Sequence, residues 1–217
     1  MKNSPLKIDL HVHTCYSYDA VTTPKELITA VKACGLDGVA ITDHNTMKGY
    51  FKFTSARKEI LLIPGMEINT KDGHVLALNT TELVPSGLSV QETVEKIHDL
   101  GGIAIALHLS GLKMGRIHTP LSGFDAIEVV NASAFPLFLS RRQNQKIADA
   151  YNLPGTAGSD AHCPLEIGSA YTIIEAEANI DQIIDAIREE RTRVFGKPVS
   201  WKARVKCEAL TLKKKLG

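Results

Sequence analysis

Asp9-Leu10-His11-Val12-His13 stands near the start of the chain, and Asp160-Ala161-His162 writes the same alternation again much later. Between them lie Asp43-His44, Glu67, His74 and His108, each at the edge of a short apolar run, so six of the eight histidines are accounted for. In an extended strand residues two apart point the same way, and each segment therefore offers a pair of neighbouring donors. Imidazoles and carboxylates gathered from separate strands are the donors that divalent metal ions require. Metal-dependent hydrolysis is the chemistry such a set supports. Cys15, Cys34, Cys163 and Cys207 form no Cys-x-x-Cys pair and read as free thiols outside this set.

Such donors need elements that end in one place. The runs 8–12, 38–42, 61–68, 74–79, 103–107, 125–130, 155–159 and 171–174 read as strands. Helical signals alternate with them. Thr23-x-x-Glu26, with Pro24 behind the cap, and Ser89-x-x-Glu92 are capping boxes; 46–58 reads as a helix, Ser140-x-x-Gln143 starts another, and Ile180, Ile183, Ile184 and Ile187 mark one face of the last. Near-continuous apolar strands joined through helices imply an α/β fold with a parallel sheet covered on both sides. Seven or eight units suggest a closed barrel, in which reactive groups sit at the C-terminal ends of strands. His74 is the exception, because it begins its strand, and it requires a hairpin-like connection after Glu67.

The composition, 44% apolar and 23% charged, is that of an ordinary globular protein. No apolar run approaches a membrane span and no signal-peptide layout is present, so a cytoplasmic protein is expected. The net charge of +1 is unevenly placed: residues 197–217 carry seven basic side chains against Glu208 alone. We expect a barrel domain over 1–196 and a basic C-terminal extension over 197–217, packed on the barrel or trailing from it. The extension reads as a solvated helix that packs Trp201, Val205 and Leu210 on the body; nucleic-acid binding is its alternative use.

Asp9-Leu-His11-Val-His13, Ile41-Thr-Asp43-His44, Pro64-Gly-Met-Glu67, Gly73-His74, His108 and Gly158-Ser-Asp160-Ala-His162 resemble, in order, the motifs of the PHP (polymerase and histidinol phosphatase) superfamily. That resemblance implies a distorted, TIM-like (β/α)7 barrel with two or three divalent metal ions. By motif, His11, His13, Glu67 and Asp160 would hold one ion, and Glu67 would bridge to a second held by His74 and His108. Asp19, His44 and His162 would hold the third. Catalytic roles would fall to Glu67, Asp160 and His162, and Asp43 would orient an imidazole from behind. Two departures stand out: Ser17-Tyr18-Asp19-Ala20 replaces the family's usual Ser-Asp-Gly, and Leu109 replaces a common proline after His108.

The implied reaction is hydrolysis of phosphate mono- or diesters by metal-activated water, with zinc, manganese and iron all suited to mixed nitrogen and oxygen donors. A phosphorylated small molecule, a nucleotide or an oligonucleotide end would be the substrate. Arg141 and Arg142, expected in the first turn of the helix after the sixth strand, are the preferred phosphate clamp; Lys113, Arg116 and Asn131 are further candidates. A non-catalytic RNA-binding or polymerase-associated subunit and an amidohydrolase are the alternatives.

Overall fold

The computed structural model describes residues 4–53, 55–110, 117 and 121–216. Seven strands build the barrel wall: β1 Leu6–Val12, β2 Gly38–Ile41, β3 Leu61–Thr70, β4 Gly73–Leu78, β5 Ile103–Ala106, β6 Ala126–Asn131 and β7 Gly155–Gly158. Neighbours pair in chain order, and every pairing is parallel except the two that flank β4. The hairpin demanded by His74 is present. β3 and β4 run antiparallel around Lys71-Asp72, with Thr70 opposite Gly73 and Asn69 opposite His74.

The sheet is nearly closed. At the mouth, Val12 bridges Ala161 in parallel, the His13 amide donates to the Ala161 carbonyl, and the Asp160 amide donates to the His11 carbonyl. At the base, two further strands, β8 Ala170–Ile174 and β9 Thr192–Gly196, extend the sheet antiparallel from β1. Thr172 Oγ1 on β8 accepts from the Ala157 amide at 2.9 Å and donates to the Ala157 carbonyl at 3.0 Å, which ties β8 to β7.

Six strands fill the interior with Leu10, Ala40, Ile63, Leu76, Leu78, Ile105 and Ala126. Ile183, Ile184 and Ile187 of helix α5, Ile180–Arg188, join the same cluster. Outside, α1 (Pro24–Ala33) and α3 (Val90–Asp99) lay Leu27, Val31, Val94 and Ile97 on the wall. Both capping boxes form: the Glu26 carboxylate accepts from the Thr23 amide, and the Glu92 carboxylate accepts from the Ser89 amide while Ser89 Oγ accepts from the Glu92 amide.

Several expectations are corrected at this level. The helix read over 46–58 shortens to α2, Lys48–Lys52, followed by a 3₁₀ turn at Ala56–Lys58. The helix after β6, α4, spans Leu137–Tyr151 with Pro136 at its N-cap, and Ser140 is buried and hydrogen-bonded to Ser110 rather than free to cap. Arg141 and Arg142 therefore stand beyond the first turn. Finally, α6, Trp201–Leu216, leaves Trp201, Val205 and Leu210 exposed and buries Cys207 instead. Cys207 forms a disulfide with Cys163, with Cα atoms 5.6 Å apart, so these two cysteines are not free; Cys15 and Cys34 are.

Candidate metal centre

Strict alternation along β1 would put Asp9, His11 and His13 on one face. The β1–β2 register slips between Asp9 and Val12, however, and the faces no longer alternate there. Leu10 packs in the barrel interior, and the next residue, His11, also reaches across it to Glu67 on β3 and Glu128 on β6. Asp9 turns instead to the closing seam, where its carboxylate accepts from the amides of Ser159 and Gly168 at 2.8 and 3.0 Å. Complete burial pushes Asp9 up to about 6 although these amides favour its charge.

Four donor atoms meet at the mouth. His11 Nε2 lies 3.2 Å from His13 Nε2, 3.0 Å from Glu67 Oε2 and 3.6 Å from Asp160 Oδ1. His13 Nε2 lies 3.0 and 3.4 Å from the same two oxygens. Donors about 2.0–2.1 Å from one tetrahedral ion stand roughly 3.3 Å apart, so the cage has the size such an ion needs. The other oxygen of Glu67, Oε1, faces His74 Nδ1 at 2.7 Å and His108 Nε2 at 3.3 Å. A third group forms where Asp19 Oδ2 meets His44 Nε2 at 3.5 Å and His162 Nε2 at 3.3 Å. His44 Nδ1 is buried without a hydrogen bond and lies 3.7 Å from Glu67 Oε2; with one lone pair, a neutral His44 would hold an ion either there or through Nε2 beside Asp19. The donors fit divalent ions, and all nine residues expected as ligands are brought to this mouth.

Electrostatics agree with that fit. Burial opposes charge on His11, yet Glu128 and Glu67 on its two ring nitrogens raise it to about 10. His13 is lowered by burial and by His162 beside it. Burial works against the Glu67 anion, but His11 and His108 hold it well below the usual carboxylate range; Asp19 is likewise held low by His162 and His44 against its burial. Binding of an ion at these donors would therefore compete with protons, as at any metal site.

The supporting shell differs from the one read in the sequence. Asp43 holds the Thr14 amide and hydroxyl at 2.6 and 2.7 Å, so it fixes the backbone after β1 rather than an imidazole. Glu128 does the orienting: its Oε1 lies 2.8 Å from His11 Nδ1, a hydrogen bond that would leave the Nε2 lone pair for an ion in the cage. His162 is set the same way by the Asp160 carbonyl, 2.9 Å from its Nδ1. Asn131 is buried and engaged with Glu128, Asp160 and the Ser133 amide, so it positions carboxylates and is not free for substrate. A lone glutamate inside the apolar run Ala126-Ile-Glu128-Val-Val was the signal for this shell.

His108 and Asp160 adopt left-handed backbone angles, φ 52° and 55°. Such angles are uncommon away from glycine and gather where side chains must be aimed. Lys214 of α6 donates to the carbonyls of Cys15, Ser17 and Ala20, which pins the loop that carries Asp19. A cavity of about 480 Å³ opens over this group, lined by Asp19, Ser133, His162, Arg204, Glu208 and Thr211 among others. Arg141 lines a neighbouring groove, Arg142 is exposed on α4, and Lys113 and Arg116 lie outside the described residues.

No described helix is long and apolar enough to cross a membrane. A family model described as PHP-associated matches residues 139–192. An uncharacterized protein of Methanocaldococcus jannaschii is 40% identical over 115 residues, covering 48% of this chain and 67% of that protein. The error-prone DNA polymerase of Mycobacterium bovis is 30% identical over 127 residues, which are 55% of this chain but 11% of the polymerase. The fold matches a two-domain protein of Bacteroides vulgatus containing a predicted PHP-like metal-dependent phosphoesterase, with a TM-score of 0.70 at 19% identity over 90% of this chain and 69% of that one. Ordered motifs, a barrel with β4 reversed and these likenesses agree, and the chain belongs to the PHP (polymerase and histidinol phosphatase) superfamily.

Proposed function

We propose that this chain is a metal-dependent phosphoesterase acting on phosphate mono- or diesters. One observation carries the reading: Glu67 turns one oxygen to the His11, His13 and Asp160 donors and the other to His74 and His108, the posture of a carboxylate shared by two cations. When bound, divalent ions lower the pKa of water and offset the charge of the phosphoryl oxygens. Zinc, manganese and iron all suit this donor set.

The chain's own residues do the rest. Glu128 and the Asp160 carbonyl keep the His11 and His162 lone pairs aimed inward, so the donors need no reorganisation during reaction. Asp19 and His162 stand both in the third donor group and in the wall of the cavity, where a substrate phosphate would enter. Arg204, in the same wall, supplies a cation for the substrate anion. Glu67→Gln tests the reading. Hydrolysis of a panel of mono- and diesters, followed as the alcohol released, should drop by at least a hundredfold, and metal content by mass spectrometry should fall, with circular dichroism unchanged. Near-normal turnover in that variant would remove the bridging role.

A further inference from the structure

Beside the cavity over His162 lies a second, larger one of about 840 Å³. Phe135 and Phe138 enter it from the loop after β6 and the first turn of α4, and Trp201 enters from the start of α6. These rings are 71%, 70% and 71% exposed, which is unusual for side chains of this size sharing one groove. Arg141 and Arg204 line it with them. Arg204 lines both cavities, and its guanidinium donates to the Ser133 carbonyl at 3.3 Å, so a fixed cation marks the boundary between groove and metal centre. Lys202 adds an ammonium 5.7 Å from the Trp201 ring centre.

Exposed aromatic faces interleaved with arginines bind single-stranded nucleic acid, because every base has a face to stack and every linkage carries a negative charge. An uncharged apolar partner would bury Arg141 and Arg204 without a counter-charge, at a cost. We propose that the groove is a base-stacking platform that seats a single-stranded oligonucleotide and leads its phosphate past Arg204 to the metal centre. Substrate class rests here on the phosphoesterase reading; the platform itself does not need turnover.

Trp201 is the sole tryptophan of the chain and sits in the groove, so its fluorescence reports occupancy directly. The full chain, held in chelator, is titrated with a ten-nucleotide oligoadenylate. Quenching of Trp201 is expected, weakening as salt rises. Phe138→Ala should reduce the affinity roughly tenfold or more, and Phe138→Tyr should retain it. Because Phe138 is largely exposed, its truncation leaves the core alone; Arg141→Ala, expected to flatten the salt dependence, is an independent second variant. Absence of quenching, an affinity indifferent to Phe138→Ala, or quenching by an uncharged apolar dye with none by the oligonucleotide overturns the platform. Phosphoester hydrolysis without quenching leaves the enzyme and removes the platform, whereas quenching with no phosphoester hydrolysed at any metal loading does the reverse.

Discussion

His11 shows how much of a metal ligand's behaviour is set by what stands behind it. Its ring is clamped between Glu128 on Nδ1 and the cage on Nε2, so its tautomer is dictated by a carboxylate that touches no substrate. Glu128→Gln keeps the shape and removes the charge; metal affinity should fall about 10–100-fold, measured by competition with a chromophoric chelator. An unchanged affinity would mean that the charge of Glu128 adds nothing to the hold of His11 on the ion. The nine residues gathered at the mouth were named from the sequence, most because they end short apolar runs and all because they stand in motifs that resemble those of the superfamily, Asp19 by that resemblance alone. Glu128 was passed over: a lone glutamate within such a run signals a buried partner, but only the fold shows that the partner is His11 across the barrel. Asp43 misled for the converse reason: it adjoins His44 in sequence, but in space its carboxylate holds Thr14.

At the level of elements, the seam between β1 and β7 is where the centre is most sensitive. Gly158 lies so close to His11 that a Cβ there would collide with the His11 side chain and backbone. Gly158→Ala should destabilise the protein by about 1–3 kcal/mol, read from the urea midpoint, and should displace His11 from the cage. A wild-type midpoint would show that the two strands can separate freely. Strands and capped helices were readable from periodicity, but the slip in β1 was not, because a register shift leaves no mark on hydrophobic alternation. The start of α4 escaped too: Ser140 looks like a cap, and its burial against Ser110 depends on a contact 30 residues away. β9 was unread because Thr192–Gly196 is short and half-exposed, paired only by β8.

Taken whole, the molecule holds a crowd of buried charges at one end of an apolar barrel, and metal ions should therefore stabilise the fold. Saturation at a hundred times Kd contributes about 2.7 kcal/mol, or a rise in Tm of roughly 5–11 °C for a chain of this size. Scanning calorimetry with and without a chelator measures it; coincident transitions would mean that the folded chain does not bind the ions. The aromatic groove belongs to this scale as well. Its rings and its cations are contributed by segments around 135 and 201, so no local pattern announces it, and a basic tail read by itself looks merely solvated. The tight hairpin between β3 and β4 has a consequence of its own. Glu67 and His74 are carried on its two arms, and the two residues at its tip set how those arms align. Exposed tips are ordinarily where a protein tolerates added residues best. Here one glycine inserted between Lys71 and Asp72 would slide β4 by a single position and turn His74 to the opposite side of the sheet. Insertional scanning should find this surface loop as intolerant as the core.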